Sequence, residues 1–258
     1  MSAYNRQASK LPLRPKKLID VRLGDEAHFI RTWLENPKLA GAISPSGRFL
    51  ARAMAHCVDP DSNGPIVELG PGTGPVTQAL LARGVAPQRL VLVEYEPGFC
   101  GLLARKFPGV KIVHGDAYHL DKTLAGALDA PPAAIVSSLP LLTKPEAIRL
   151  ALLRQSFELM GPKGRFIQFT YGVKSPAPIH LCESLHIKTQ ALAPIWLNLP
   201  PARIFVYRGA GCDQPAAPPP DMFDKILRHS KRAAREIRDE FEEARARLAS
   251  NGSKSRRS

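Results

Sequence analysis

The sequence predicts an α/β protein: a parallel, doubly wound sheet that ends in an antiparallel hairpin. Three observations carry this. Short runs rich in Val, Ile and Leu recur at 66–69, 90–93, 111–113, 133–137 and 165–170, and stretches with helical spacing separate them. Such alternation is how a chain builds parallel strands with crossover helices. Gly70, Gly72 and Gly74 alternate directly after the first run and before a helical pattern over 76–83. Strand, glycine turn and helix together bring backbone against a nucleotide-like ligand. The last two β-rich runs, 186–197 and 202–207, are joined only by Asn198-Leu199-Pro200-Pro201, so they read as a hairpin.

Taken in order, the elements divide the chain into five parts. Residues 1–24 are a basic arm. The first 22 hold six bases and one acid, a balance that suits a solvated tail or an anion-binding segment. Residues 25–60 carry two helices. In the first, Phe29, Ile30, Trp33 and Leu34 fall at helical spacing between Asp25, a candidate N-cap, and Pro37, a stop. A loop over 42–48 leads into the second, 49–57. These helices precede the first strand. Plain cover for the sheet edge is one reading; a lid, or an amphipathic membrane contact with Phe29 and Trp33 inserted, is the one we adopt. Residues 61–208 form the core domain, with further helices at 99–107, 120–128 and 145–160. The last of these is capped by Thr143 or Lys144 and closed by Gly161-Pro162-Lys163-Gly164. Residues 209–220 are a Pro-rich linker. Residues 221–258 are a basic helix and tail with eleven bases and seven acids. Its stripe of Phe223, Leu227, Ile237, Phe241 and Leu248, diluted by Ser and Ala, is thin for a coiled coil. Docking on the core, lying on an acidic membrane and pairing with a second chain all stay open, as does the oligomeric state.

Composition narrows the function classes. Hydrophobic residues make up 44% of the 258, ample for a core, and the net charge is +13. That charge points to anionic partners, nucleic acid or an acidic membrane surface. Cys57, Cys100, Cys182 and Cys212 are scattered with no Cys-x-x-Cys pair, which suits free thiols in a reducing cytoplasm and gives no metal site. No apolar run approaches the roughly 18 residues that span a bilayer. The basic N-terminus lacks the apolar core of a signal peptide. The expected location is cytoplasmic, with membrane contact peripheral, on the inner face.

The glycine turn is not the dinucleotide fingerprint, because the position three after Gly72 is Pro75. Its spacing, G-x-G-x-G preceded by Glu68, resembles motif I of class I methyltransferases dependent on S-adenosylmethionine (SAM). Glu94 ends the second run about 20 residues on, where an acid suits a ribose diol. Gly115-Asp116-Ala117 follows the third. The glycines alone are no more than a tight turn; glycines, Glu94 and Asp116 in this order carry the reading. The resemblance implies the Rossmann-like fold of that superfamily, SAM as cofactor and S-adenosyl-L-homocysteine as product. It places Glu68, Gly70, Gly72, Thr73, Gly74, Glu94, Tyr95, Asp116, Ala117 and Ser138 at the cofactor, with Asp116 against the adenine amine.

The stretch after the fourth run faces the methyl acceptor in such enzymes. Here it reads Ser137-Ser138-Leu139-Pro140-Leu141-Leu142. In adenine N-methyltransferases, including those of rRNA, the slot reads Asn/Asp-x-Pro-Tyr/Phe. The Asn or Asp and a backbone carbonyl hold the planar amine, and the aromatic stacks on the base. Ser138 and Leu141 stand in those two places, so a planar base fits poorly and an aliphatic amine fits better. At this point the chain resembles the bacterial soluble phospholipid N-methyltransferases. The resemblance covers roughly residues 25–208. Phe29-Ile30-Arg31-Thr32-Trp33, Ser44-Pro45-Ser46-Gly47, Ser138-Leu139-Pro140-Leu141, Gln168-Phe169-Thr170-Tyr171 and Asn198-Leu199-Pro200-Pro201 carry it. That family tends to have Gly where this chain has Ser138.

The resemblance implies methylation of the amine of phosphatidylethanolamine, and of its mono- and dimethyl forms, towards phosphatidylcholine. rRNA adenine N6-methylation is the alternative, favoured by charge and the shared SAM motifs; otherwise nucleic acid is not an expected partner. A binding module on an inactive methyltransferase fold is a third reading, and the intact cofactor motifs speak against it. An alkyl ammonium must lose a proton before its nitrogen can attack. Tyr171 is the candidate to orient the amine, His180 a second candidate base, and Glu35 a partner for the ammonium. Leu139 and Leu141 wall the slot. Arg31, Trp33, Ser44, Ser46, Arg48 and Arg203 are candidate contacts to the lipid and its phosphate.

Each base close to an anionic leaflet contributes about 1 kcal/mol, and salt screens it. The protein is expected to sediment with phosphatidylglycerol or cardiolipin vesicles at low ionic strength and to be released as salt rises. Binding that ignores salt, or no binding, contradicts this.

Overall fold

The structure is a computed structural model that describes residues 45–171, 174–177, 179–195, 198 and 201–212. The basic arm, the first N-terminal helix, the linker past Cys212 and the C-terminal helix expected from the sequence lie outside the described residues. In chain order the elements are α1 (Pro45–His56), β1 (Ile66–Leu69), α2 (Pro75–Ala82), β2 (Leu90–Glu94), α3 (Pro97–Lys106) and β3 (Lys111–His114). There follow a single turn α4 (Leu120–Thr123), β4 (Ala134–Ser137), α5 (Glu146–Met160), β5 (Arg165–Thr170), α6 (Ile179–Ser184), β6 (Lys188–Ala191) and β7 (Arg203–Arg208).

The seven strands make one sheet in the order β3-β2-β1-β4-β5-β7-β6. β1 to β5 pair in parallel, and β7 runs antiparallel to both β5 and β6. The expected parallel sheet with an antiparallel end is what forms. β1, β2 and β4 are buried throughout, which is why they read as unbroken apolar runs instead of alternating ones. Their side chains still alternate between two cores. Ile66, Leu90 and Val136 join Met54 and Leu80 under α1 and α2. Val67, Val91 and Ile135 join Leu152 and Phe166 on the α5 side.

Several boundaries differ from expectation. α1 starts at Pro45, inside the stretch expected to be a loop, because a proline suits the first helical turn. Leu50, Ala51, Ala53 and Met54 are buried along it, so this helix covers the sheet. α5 takes Pro145 as its N-cap with no side-chain cap. Thr143 is committed elsewhere, its hydroxyl donating to the Pro140 carbonyl at 2.7 Å. α4 is one turn long, and α6 is a helix the sequence reading did not anticipate. Among the described residues no helix is long and apolar enough to cross a membrane.

Two features of this topology position a site. The sheet order reverses beside β1, whose neighbours β2 and β4 lead off to opposite sides, and the crevice at such a switch point is where open α/β sheets bind ligands. α1 also lies alongside α2 in the same direction. His56 and Arg83 touch at their C-terminal ends, and Arg48 shares a cleft with Pro75 towards the other. α1 therefore starts at the same end of the sheet as the glycine turn.

Candidate active site

The turn after β1 is built by backbone geometry. Gly70, Gly72 and Gly74 all have positive φ, between 57° and 79°, a region that costs other residues about 1–2 kcal/mol. A Cβ on Gly74 would sit 2.3 Å from the Phe107 ring, whereas one on Gly72 would meet nothing within 4 Å. Gly74 is thus required by packing, and Gly72 leaves open space above the turn. The Gly70 N–H donates to the Val93 carbonyl at 3.0 Å, continuing the bonding between β1 and β2 into the turn.

Glu94 closes this arrangement from the end of β2. Its Oε2 accepts from the Gly72 N–H at 3.0 Å, and its Oε1 accepts from the N–H groups of Tyr95 and Glu96 at 2.9 and 3.0 Å. A carboxylate offers about four lone-pair directions, so it retains capacity for a ligand hydroxyl. Asp116 caps its own turn, Oδ1 accepting from the Tyr118 N–H at 2.8 Å. Between these groups opens a cleft of about 350 Å³ whose lining includes Gly70, Glu94, Tyr95, Asp116, Ala117 and Leu139. All six come from the residues singled out in the sequence. Gly72, Thr73 and Gly74 form the adjoining turn. The Ser138 N–H donates to the Leu69 carbonyl at 2.9 Å and carries pairing one residue past β4.

Sequence reasoning did not place five residues of this cleft at the site: Val93, Gly115, Tyr118, Pro140 and Lys144. The Lys144 ammonium lies 5.0 Å from the centre of the Tyr118 ring. The Tyr118 hydroxyl is buried with no partner, and burial, reinforced by Asp116, pushes its pKa up to about 12. The position directly after Gly-Asp-Ala is the signal that would have found it.

Beneath the turn sits Glu68, fully buried. Its Oε2 accepts from the Thr77 hydroxyl at 2.7 Å, tying β1 to the first turn of α2. Its Oε1 has no partner. Burial pushes this carboxyl up to about 7, opposed by the bonds to Thr77 and helped by Glu94. An unsatisfied acid under the turn, open space at Gly72, spare acceptor capacity at Glu94 and Asp116 beyond it fit a ligand with a cationic end, a diol and a purine. SAM has all three.

The acceptor side is less uniform. Leu139 is half-buried in the cleft wall, and its side chain lies against Gly70. Leu141, expected to wall the slot, is instead 3% exposed in the core, because a 3-10 turn over Leu141–Thr143 directs it inward. Tyr171 follows the C-terminal end of β5, half-buried against Phe169 with ring centres 5.4 Å apart. Its hydroxyl bonds the Asn198 side chain, and burial raises its pKa. Arg203 opens β7 opposite Thr170, at the same strand end. His180 is not brought into the cleft: it is exposed on α6, its Nε2 3.2 Å from Glu146 Oε1 on α5. Arg48 is exposed on α1, and Ser46 lies in that helix's first turn. Arg31, Trp33, Glu35 and Ser44 lie outside the described residues.

The comparisons with known proteins agree with this geometry. No family model matches the chain. Ornithine lipid N-methyltransferase of Singulisphaera acidiphila is 27% identical over 145 residues, 55% of this chain and 76% of that protein. Ribosomal RNA small subunit methyltransferase A of Bradyrhizobium diazoefficiens is 40% identical over 96 residues, 35% of this chain and 32% of that one. The chain thus spans about a third of the ribosomal RNA relatives' length. Among solved structures, the mitomycin 7-O-methyltransferase MmcR superposes with a TM-score of 0.50 over 70% of this chain and 60% of its own, at 17% identity. That likeness shows the fold. The chain has the Rossmann-like fold of class I methyltransferases. SAM is its cofactor.

The buried acid beneath the turn yields a prediction. Glu68 titrates near 7 in the folded protein and near 4.5 in an unfolded chain. The folded state therefore holds the extra proton between those values. Stability is greatest below about 4.5, falls as pH rises through about 7 and stays lower above it. Glu68→Gln, which needs no charge in the core, should unfold at higher temperature than wild type at pH 8, by on the order of 3 kcal/mol. It should match wild type near pH 4.5 and bind SAM about tenfold more weakly by calorimetry. An unchanged pH dependence of unfolding contradicts the assignment.

Proposed function

We propose that the protein transfers methyl groups from SAM to the primary amine of a membrane lipid, with phosphatidylethanolamine as acceptor and phosphatidylcholine as the end of the series. The observation that carries this reading is the state of the slot after β4. The Leu139 carbonyl accepts from the Leu141 N–H at 2.9 Å and from Gln168 Nε2 at 3.0 Å. Both lone pairs are used. The carbonyl that would hold a planar amine is occupied, Ser138 stands in place of a carboxamide, and Leu141 is buried where a stacking aromatic would stand. An alkyl amine needs neither stacking nor that carbonyl. The relative from Singulisphaera acidiphila, named for N-methylation of ornithine lipid, supports an amine carried on a lipid.

When bound, SAM supplies an electrophilic methyl group, and S-adenosyl-L-homocysteine is the product. The protein's part is to bind, orient and dry the site. Glu94 and the glycine turn hold the cofactor. Leu139 and Pro140 present apolar surface to the acceptor, which disfavours the charged ammonium and frees its lone pair. In this reading Tyr171 orients the amine, and Arg48 and Arg203 meet the lipid phosphate. The protein works as a peripheral protein on an anionic leaflet, at the inner face of the cytoplasmic membrane.

Methylation of rRNA adenine is the second reading. The 40% identity to a ribosomal RNA methyltransferase and the net charge of +13 favour it, and the occupied carbonyl counts against it. One assay separates the two. Labelled methyl is supplied as SAM to three acceptors: liposomes of phosphatidylethanolamine with phosphatidylglycerol, the same liposomes with ornithine lipid replacing phosphatidylethanolamine, and unmodified rRNA. Label in the phosphatidylethanolamine liposomes is the expected result. Label only with ornithine lipid corrects the headgroup. Label only in RNA overturns the proposal.

A further inference from the structure

We propose that Gln168 positions the acceptor nitrogen: its side-chain oxygen accepts a hydrogen bond from an N–H of the lipid amine. The inference rests on the lipid-amine reading above and adds a residue that reading does not assign. Gln168 is fully buried on β5, level with Ser137, the last residue of β4. Its Nε2 donates to the Leu139 carbonyl at 3.0 Å and to the Phe169 carbonyl at 2.6 Å. Two carbonyl partners fix the orientation of the amide, with nitrogen towards them and oxygen away. That oxygen is buried with no hydrogen-bond partner. A buried acceptor left unsatisfied costs about 1–3 kcal/mol, so an unpartnered one on a side chain bonded directly behind Leu139, a residue of the cleft wall, calls for a donor. The planar amide holds Oε1 within about 5 Å of the Leu139 oxygen, and Leu139 itself lines the cleft.

The slot has therefore not lost its carboxamide. Ser138 lacks one, but the neighbouring strand supplies one from behind, and its nitrogen is spent closing the Leu139 carbonyl. What remains is one acceptor oxygen. A neutral primary amine carries two N–H groups and one lone pair. Donating one N–H to Oε1 fixes the nitrogen while leaving the lone pair free to attack.

This geometry makes a prediction that depends on methylation state. The unmethylated and monomethylated amines have an N–H to donate. The neutral dimethylated amine has none, so Gln168 gives it no hydrogen bond. The experiment measures kcat/KM for phosphatidylethanolamine and its monomethyl and dimethyl derivatives in phosphatidylglycerol vesicles, with SAM affinity measured separately by calorimetry. Gln168→Met removes the amide at similar length. It should lower transfer to the first two acceptors at least about tenfold, as loss of one such bond does, while transfer to the dimethyl lipid stays within about threefold and SAM affinity within about twofold. Gln168→Glu keeps an acceptor oxygen and, when protonated, one donor. It should restore the preference for N–H-bearing acceptors, and it serves as the test if the methionine variant fails to fold. An equal fall for all three lipids together with weaker SAM binding means that Gln168 only buttresses the Leu139 loop, and overturns the proposal. Unchanged rates overturn it too. A wild-type protein inactive on all three lipids, and on ornithine lipid in the same vesicles, overturns the lipid-amine reading itself, a result distinguishable because no variant is involved.

Discussion

Three backbone N–H groups converge on the carboxylate of Glu94, and the cleft depends on that convergence. Two come from the residues that follow it and one from Gly72, across the turn leaving β1. Hydrogen bonds to an ionised acceptor are roughly twice as strong as neutral ones. This set ties the end of β2 to a turn in which every second residue is glycine. The turn then delivers the chain into α2, where Thr77 reaches back to Glu68. One carboxylate lies above the turn and one beneath it. The upper is satisfied by backbone and the lower is half-satisfied, which is why burial raises its pKa so far.

The acceptor side follows the opposite logic. Where the cofactor side retains spare acceptor capacity, the slot after β4 closes its backbone carbonyl and keeps only the side-chain oxygen of Gln168. Leu139 turns its side chain to Gly70 and its carbonyl to Gln168 and Leu141. An acceptor that relies on a free backbone carbonyl and an aromatic platform loses both, and the loss of even one bidentate contact discriminates by about 1–3 kcal/mol. An alkyl amine loses nothing by the change. On the proposed reading, substrate class is set less by the motif letters than by which hydrogen-bonding groups the neighbouring strand has already used.

Most of the fold was legible because parallel strands buried on both faces leave continuous apolar runs, and because helical stretches between them mark the crossovers. The cofactor side was legible because its residues belong to strand ends at fixed intervals: Gly70 after β1, Glu94 ending β2, Asp116 after β3. The acceptor side was not, since it depends on contacts between distant segments. Nothing in Leu141 reveals that a 3-10 turn aims it into the core. His180 finds Glu146 thirty-four positions away. Gln168 reads as one polar residue in a buried strand, and only the fold shows that its amide reaches Leu139, twenty-nine positions earlier. Pro45 was taken for loop because a proline marks a helix start as readily as a break.

The central claim is that Glu94 organises a single SAM site at the switch point, and calorimetric titration of SAM tests it most directly. The account predicts one SAM per chain for the wild type. It predicts at least about tenfold weaker binding for Glu94→Ala, the loss expected when a charged hydrogen-bond partner is removed. A wild-type protein that takes up no SAM, or a Glu94→Ala variant that binds as tightly as wild type, would contradict it.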